Sequence, residues 1–225
     1  MTMNGLERSK IKVVIFDLDG TLIESAPSIL MGLEVAIKKS GLFPALPLDS
    51  SLIGPPLTDT LRKLVGDQLN VDLDVLVSDF KAYYDTVGFK ESRTYPGVQD
   101  MLNQLKKINL SLYLATNKRL EPTLKIIDYF GWTPLFDGVY AIDKFDTAPF
   151  SNKATMIGAL IAAESIEKAH AIYVGDRIED HEASAANGID TVLVNWGYSN
   201  FQNNPATDKV KYVDSPNELY RMIVG

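Results

Sequence analysis

The stretch VVIFDLDGTLIES, residues 13–25, decides the fold class because an apolar, β-branched run leads directly into two acidic residues. The run begins at residue 11, and residues 11–17 (IKVVIFD) form one apolar segment. Continuous rather than alternating apolar character is typical of a strand buried on both faces, as in the interior of a parallel sheet. The stretch therefore predicts a central parallel strand that carries acidic residues at its carboxyl end.

Four further apolar runs of similar length recur along the chain, separated by segments long enough to form helices. They are residues 110–116 (LSLYLAT), 138–142 (GVYAI), 170–176 (HAIYVGD) and 190–195 (DTVLVN). Alternating strands and helices are typical of an α/β fold with a doubly wound sheet. We therefore predict a mostly parallel, Rossmann-like sheet core.

Residues 24–92 interrupt this alternation, because helical patterns dominate there and no central strand is evident. Apolar periodicity and glycine stop signals predict three helices in this segment, over residues 25–41, 57–66 and 71–88. The simplest division of the chain is an α/β catalytic core made of residues 1–23 and 93–225. Residues 24–92 would then form an inserted helical cap.

The composition limits the possible partners. The 225 residues carry a net charge of −7, with 46% hydrophobic and 23% charged residues, as in folded water-soluble proteins. An acidic chain is a poor ligand for nucleic acid or an anionic membrane, since both require clustered Lys and Arg. No apolar run approaches the ~20 residues that span a bilayer. Residues 1–10 (MTMNGLERSK) lack the apolar segment of a secretory signal. We expect a cytoplasmic monomer or homodimer, and the absence of cysteine excludes disulfides and thiolate ligands.

Polar residues follow three of the predicted strands at the point where each strand ends. They are Asp17 with Asp19, Thr116 with Asn117, and Asp176 with Asp180. Open α/β sheets bind ligands beyond the carboxyl ends of their strands, so these side chains should meet at one edge. Residues two apart in an extended chain point to the same side, which brings the first two carboxylates together. Such crowding raises the pKa of one carboxyl group or requires a cation.

Together with Lys153, at the start of the helical pattern KATMIGALI, these residues resemble the four motifs of the haloacid dehalogenase superfamily. The resemblance is closest to its phosphoglycolate phosphatase-like members. Its specific part is DxDGT at residues 17–21 combined with GDxxxD at residues 175–180. The resemblance implies a Mg²⁺-dependent phosphatase that hydrolyses a small phosphorylated metabolite through an aspartyl-phosphate intermediate.

The resemblance also implies roles for the acidic residues. Asp17 would attack phosphorus, and Asp19 would protonate the leaving alkoxide and later deprotonate water. Mg²⁺ binds through one or two carboxylates together with waters and substrate phosphate, which suits Asp17 and Asp176. The backbone carbonyl of Asp19 would be a third protein ligand. Asp180 would support the water shell of the metal or orient Lys153.

The remaining predicted site residues contact the substrate. The predicted substrate-binding residues are Thr21, Arg62, Thr116 and Asn117. A threonine hydroxyl and a backbone or side-chain amide can donate hydrogen bonds to phosphoryl oxygens, whereas a cap arginine could reach an anionic leaving group.

A lysine is expected to offset the charge of the nucleophile and of the transition state. Lys153 is the first candidate. It is followed by Ala154, whereas phosphatases of the resembled group commonly have proline there, so Lys144 is the substitute candidate.

Two other functions fit the same residues. A sugar phosphomutase would return the phosphate to an intermediate, although DLDGT favours hydrolysis over the DLDGV of that group. A non-catalytic module would accept phosphate on Asp17 as a signal. The presence of Asp19 as a proton shuttle and of a helical cap favours an enzyme over such a module.

Overall fold

A computed structural model describes residues 11–66, 68, 71–145, 148–199, 201 and 210–225. Residues 1–10, which are predicted to lack a secretory signal, lie outside the described residues, as do residues 146 and 147. The main sheet has six strands, which are β1 (Val13–Phe16), β4 (Ser111–Thr116), β5 (Gly138–Ala141), β6 (Ala171–Gly175), β7 (Asp190–Val194) and β8 (Val210–Val213). A separate two-stranded sheet contains β2 (Ile23–Glu24) and β3 (Arg93–Thr94).

All neighbouring strands of the main sheet are parallel, in the order β5-β4-β1-β6-β7-β8. The predicted α/β class with a doubly wound, mostly parallel sheet is therefore confirmed. The strand order reverses at β1, which is where such sheets bind ligands. The strand predicted from the opening stretch is therefore central, and its carboxyl end lies at the switch point.

Both faces of the sheet are buried, as the continuous apolar runs predict. On β1, Val14 and Phe16 contribute to one hydrophobic cluster and Ile15 to another. Because successive side chains in a strand point to opposite faces, a buried strand requires apolar residues at every position.

Five helices belong to the sheet core. They are α4 (Val98–Lys107), α5 (Leu120–Tyr129), α6 (Lys153–Ala163), α7 (Ile178–Ala185) and α8 (Pro216–Val224). Met156, Ile157 and Leu160 of α6 pack in the cluster that contains Ile15, whereas Leu102 of α4 packs in the cluster of Val14. None of the helices in the described ranges is both long and apolar enough to cross a membrane.

A helical unit, residues 26–91, lies between β2 and β3. It contains α1 (Ala26–Lys39), α2 (Leu57–Val65), α3 (Leu73–Tyr84) and 3-10 helices at Ser50–Leu52 and Gly88–Glu91. Each of its α-helices corresponds to a predicted one. The prediction that the third helix ends near Gly88 is wrong: α3 ends at Tyr84, and Gly88 does not adopt the left-handed conformation of a helix stop. A Cβ on Gly88 would instead lie 2.9 Å from the Tyr83 ring, so glycine allows close packing there.

The chain passes between the sheet core and the helical unit at β2 and β3. These strands pair antiparallel, Ile23 with Thr94 and Glu24 with Arg93. Two-residue strands have no periodicity, so the sequence did not reveal them. The division into a core of residues 1–23 and 93–225 and a cap of residues 24–92 stays a prediction.

Candidate active site

The carboxylates of Asp17, Asp176 and Asp180 form a buried acidic cluster at the switch point. They follow β1 and β6, which are adjacent, and one oxygen from each lies within 4.8 Å of the others. The backbone N–H of Asp17 donates to the carbonyl of Val174 in β6 at 2.9 Å, which fixes the relation of the two strand ends. Residues far apart in sequence thus meet because parallel strands end at the same edge.

Two of these carboxyl groups have strongly shifted acidity. Burial, partly offset by Lys153, raises the pKa of Asp17 to about 6. Burial, reinforced by the carboxylates of Asp180 and Asp17, raises the pKa of Asp176 to about 8. Crowded buried carboxylates are unstable as anions unless a cation neutralises them.

Two buried oxygens of the acidic cluster, Oδ1 of Asp17 and Oδ1 of Asp176, accept no hydrogen bond among the described residues. Asp17 Oδ1 does lie within ion-pair distance of the Lys153 ammonium. Unsatisfied buried acceptors are costly, and hard cations such as Mg²⁺ bind carboxylate oxygens. The donor set of this site therefore fits a divalent cation that binds Asp17 and Asp176.

Asp180 differs from the other two acids because both of its oxygens have protein partners. Its Oδ2 accepts the backbone N–H groups of Asp176 and Arg177, each at 3.1 Å, at the start of α7. Its Oδ1 accepts a hydrogen bond from Lys153. Asp180 therefore caps a helix and orients its neighbours beside Asp17 and Asp176.

Lys153 lies in the acidic cluster because α6 begins at this residue. The Asn152 side chain accepts the backbone N–H of Thr155 at 2.9 Å, which fixes the helix start. Lys153 Nζ lies 3.1 Å from Asp17 Oδ1 and 2.5 Å from Asp180 Oδ1. Burial alone would lower the pKa of Lys153, but the two carboxylates outweigh it and raise the pKa well above its usual value. The lysine stays protonated.

The substitute candidate, Lys144, is not brought to the acidic cluster. Its ammonium donates to the carbonyl of Val139 at 2.9 Å and lies over the Tyr140 ring, 3.4 Å from the centroid. Burial lowers the pKa of Lys144. Of the two lysines, only Lys153 contacts Asp17 in this structure.

Asp19 pairs with Lys118, which is not among the predicted site residues. Nζ of Lys118 lies 3.0 Å from Oδ1 and 3.2 Å from Oδ2 of Asp19, and the Ser25 hydroxyl also donates to Oδ1. Burial would lower the pKa of Lys118, but Asp19 outweighs it and the pKa rises. The position of Lys118 in the run TNK, directly after a strand end, was the available signal.

Thr116 ends β4, Asn117 follows it, and both line the same cavity as Asp17 and Asp19. The Thr116 hydroxyl accepts the backbone N–H of Lys118 at 3.2 Å, which leaves its own proton available for a ligand. The Asn117 side chain donates instead to the carbonyl of Gly54 in the helical unit, at 3.0 Å.

Thr21 and Arg62 lie apart from this cavity. The Thr21 hydroxyl is buried and has no hydrogen-bond partner in the part of the chain that the structure describes, while the Thr21 carbonyl accepts the indole N–H of Trp196 at 2.9 Å. Arg62 is 62% exposed and pairs with Asp59 one helical turn away, at 2.9 Å. The structure does not bring Arg62 to the acidic cluster, because it lies on the solvated face of α2.

Tyr198 links the acidic cluster to the helical unit. Its backbone N–H donates to Asp176 Oδ2 at 2.8 Å, and its hydroxyl accepts the backbone N–H groups of Ser25 and Ala26, each at 2.8 Å. The first turn of a helix leaves backbone N–H groups without partners. A side chain distant in sequence therefore caps α1 and also holds a carboxylate of the acidic cluster.

Residues 14–194 match the haloacid dehalogenase-like hydrolase family. The chain belongs to this family. The match includes all but the first residue of β1, all three acids of the acidic cluster and Lys153, and it confirms the family resemblance noted in the sequence.

Individual relatives in the family carry different functional names. A tyrosine-protein kinase, PtkA, of Mycobacterium tuberculosis is 30% identical over 211 residues, covering 92% of this chain and 71% of the relative. A phosphoglycolate phosphatase of Aquifex aeolicus is 32% identical over 188 residues, covering 83% of this chain and 86% of the relative. Among solved structures, a predicted phosphatase from Clostridium acetobutylicum has a TM-score of 0.80 at 26% identity, covering 95% of this chain and 98% of that chain.

Gly20 allows the close approach on which this haloacid dehalogenase-like site depends. Its φ is +85°, and a Cβ there would collide with the Asp176 carboxylate and lie 2.7 Å from the Tyr198 ring. We expect Gly20→Ala to lower the free energy of unfolding by more than about 3 kcal/mol. Gly41 is the matched control, because its φ is +67° but no atom lies within 4 Å of a Cβ there.

The Gly41→Ala control separates the free-energy cost of a left-handed backbone from the cost of the steric collision. Gly41→Ala should cost only about 1 kcal/mol, the penalty of a left-handed conformation. Urea unfolding of both variants measures the difference. Equal losses would contradict the packing of Gly20 against Asp176 described above.

Proposed function

We propose that this chain is a Mg²⁺-dependent phosphatase that hydrolyses a small phosphate monoester through an aspartyl-phosphate on Asp17. The observation that carries the proposal is Oδ1 of Asp17, which accepts no hydrogen bond among the described residues but lies 3.1 Å from the Lys153 ammonium and close to Asp176. Asp17 also lines a cavity. Membership of a hydrolase family and the phosphoglycolate phosphatase name of a relative support hydrolysis as the outcome.

Asp17 and Asp176 would hold the cation, with the carbonyl of Asp19 as a further ligand by family resemblance. When bound, Mg²⁺ neutralises the carboxylates and the phosphoryl oxygens so that an anionic nucleophile can approach an anionic ester. Asp180 keeps Lys153 and the strand ends in place through the contacts described above.

In the first step, an oxygen of Asp17 forms a bond to phosphorus as the bond from phosphorus to the ester oxygen breaks. Asp19 donates its proton to the departing alkoxide. In the second step, Asp19 takes a proton from water, whose oxygen attacks phosphorus and releases Asp17 with inorganic phosphate. Atoms and charge balance over the two displacements, and Asp19 ends with the proton that it gave up.

Lys153 and Thr116 hold the phosphoryl group during both displacements. The ammonium of Lys153 is fixed by Asp180, so it offers a positive charge without reorganisation as negative charge builds up on the phosphoryl oxygens. The Thr116 hydroxyl, whose proton has no acceptor among the described residues, donates to one of these oxygens.

The two other functions considered differ in where the phosphate ends. A phosphomutase returns it to the substrate, and a phospho-acceptor module retains it on Asp17. Release of free phosphate with multiple turnovers separates hydrolysis from both. A cytoplasmic location and a monomeric or homodimeric state stay predictions.

Removal of the metal tests the proposal. The purified chain is incubated with a panel of phosphate monoesters, with Mg²⁺ or with EDTA, and free phosphate is measured. We expect multiple turnovers with Mg²⁺. With EDTA the rate of phosphate release should fall by at least about 10²-fold, because the metal stabilises the charge of the transition state by several kcal/mol. Equal rates in EDTA would contradict the metal assignment, and the absence of free phosphate from every ester would contradict the activity.

Thermal unfolding is the second readout, because it needs no substrate. The raised pKa values of Asp17 and Asp176 mean that the metal-free folded state binds more protons than the unfolded state. Its stability therefore falls as the pH rises from about 4 to about 8. Mg²⁺ binds the ionised carboxylates, so its stabilising effect should be larger at pH 8 than at pH 6. At a free Mg²⁺ concentration of 100 times its Kd, the stabilisation is about 2.7 kcal/mol, which raises Tm by about 5 to 10 °C.

A further inference from the structure

The cavity above the acidic cluster has two chemically different walls. Its volume is about 240 Å³, and it lies between the helical unit and the strand ends. The core side supplies Asp17, Asp19, Thr116 and Asn117. The opposite wall is mainly apolar and is formed by α1, α3 and the loop before α2, with side chains that include Ile29, Leu33, Leu52, Ile53, Val77 and Phe80.

Two of the cations that line this cavity, Lys118 and Arg119, are already paired. Lys118 contacts Asp19 and lies 4.6 Å from the centroid of the Tyr84 ring. Arg119 forms a two-pronged pair with Asp85, with Nη1 2.9 Å from Oδ2 and Nη2 2.5 Å from Oδ1. A cation in a buried ion pair can bind a ligand only if that pair is broken.

The remaining charged groups that line the cavity do not favour a second anion. Asp143 is acidic, and its carboxylate accepts the backbone N–H of Leu120 at 2.6 Å. Lys81 of α3 is half-buried and makes no ion pair within the described ranges, so it is a single ammonium in a cavity that is also lined by Asp19 and Asp143. An anionic leaving group in this apolar wall would be buried without adequate neutralisation.

We propose that the cavity selects phosphate monoesters whose leaving group is uncharged, mainly apolar and about the size of one aromatic ring. The proposal rests on the phosphatase activity proposed above. A cavity of about 150 Å³ lined by Leu, Ile and Phe binds benzene, so 240 Å³ accommodates one ring beside the phosphoryl group. Ile53 and Phe80 would contact the ring, while Asp17 and Thr116 contact the phosphoryl group.

Three substrates test the selection with the wild-type chain. Benzyl phosphate, phosphoglycolate and glycerol phosphate carry an aromatic ring, a carboxylate and a polar uncharged group, respectively. Each releases a primary alcohol when the phosphate is on a terminal carbon, so differences in leaving-group chemistry are small. We expect kcat/KM for benzyl phosphate to exceed the other two by at least about 10-fold, the discrimination that modest apolar contacts supply.

A charge placed in the apolar wall should reverse this preference. Val77→Lys, in the α3 wall of the cavity, should lower kcat/KM for benzyl phosphate by about 10-fold and raise it for phosphoglycolate. Val75→Lys is the matched control, because Val75 lies on the same helix but is 49% exposed and outside the cavity. It should leave both values unchanged. Ile29→Lys repeats the test from α1 if Val77→Lys fails to fold.

The outcomes distinguish this inference from the function on which it rests. A wild-type preference for phosphoglycolate or glycerol phosphate, with normal Mg²⁺-dependent turnover, overturns the apolar selection and leaves the phosphatase activity in place. Release of phosphate from none of the three esters or from the wider panel removes the activity, and the inference with it. An unchanged substrate ratio in folded Val77→Lys also overturns the inference.

Discussion

Asp17→Asn is expected to lower kcat for phosphate release by at least about 10⁴-fold, which corresponds to about 5.5 kcal/mol in the activation free energy. An amide nitrogen or oxygen is a far weaker nucleophile than a carboxylate, and the variant also loses one proposed ligand for Mg²⁺. The fold should not suffer. Asn has the same shape, and burial already raises the pKa of Asp17 to about 6, so the charge is costly in the metal-free state.

Phosphate release and circular dichroism, measured on the same preparation, separate the loss of chemistry from a loss of fold. Asp137→Asn is the control, because that carboxylate pairs with Lys106 at 2.7 Å and accepts the backbone N–H of Leu112 near the start of β4. It therefore lies toward the opposite edge of the sheet and should retain full turnover. Substantial phosphate release by folded Asp17→Asn would refute the assignment of the nucleophile.

Lys153→Met is expected to affect both rate and stability. The ammonium faces Asp17 and Asp180, and methionine preserves much of the side-chain length without the charge. Loss of one fixed group that stabilises transition-state charge typically costs about 10²–10³-fold in kcat. Removing one partner of a buried ion pair costs about 3–5 kcal/mol, so the metal-free Tm should fall by on the order of 10 °C.

Lys144→Met is the matched control, because it removes a lysine that does not contact the acidic cluster. Lys144 contacts the Val139 carbonyl and the Tyr140 ring rather than a carboxylate of the acidic cluster. We expect its kcat to stay within about twofold of wild type and its Tm to change by only a few degrees, as for one hydrogen bond. The opposite ranking of the two lysine variants would transfer the charge-stabilising role to Lys144.

The central part of the fold could be predicted because its strands are buried on both faces. A strand such as β1 must then be apolar at every position, and that run is visible without any tertiary information. The run at Val210–Val213 gave no such signal, since Lys211 is exposed and the strand forms the edge of the sheet. Strands β2 and β3 are too short for any pattern.

The acidic cluster could be anticipated because each of its members follows a strand or begins a helix. Lys118 and Tyr198 could not be placed as readily, because their partners, Asp19 and the first turn of α1, are contacted only after the chain has folded. For Asn117 the sequence indicated a polar residue at a strand end but not the Gly54 carbonyl that it contacts. Arg62 was predicted to bind the substrate because of its positive charge, but it lies on a solvated helix face.

Two side chains of the sheet core hold the loop before α2, residues 50–56, by its main-chain carbonyls. Asn117 donates to the Gly54 carbonyl, and Arg177 donates to the Ser50 carbonyl at 3.1 Å. The anchors are main-chain carbonyls, whereas the side chains of Leu52 and Ile53 beside them line the cavity. Gly54 itself is constrained, because its φ is +113° and a Cβ there would lie 2.7 Å from Arg177 Nε. Substitutions at Leu52 and Ile53 would therefore change the side chains that line the cavity without removing the hydrogen bonds that hold the loop.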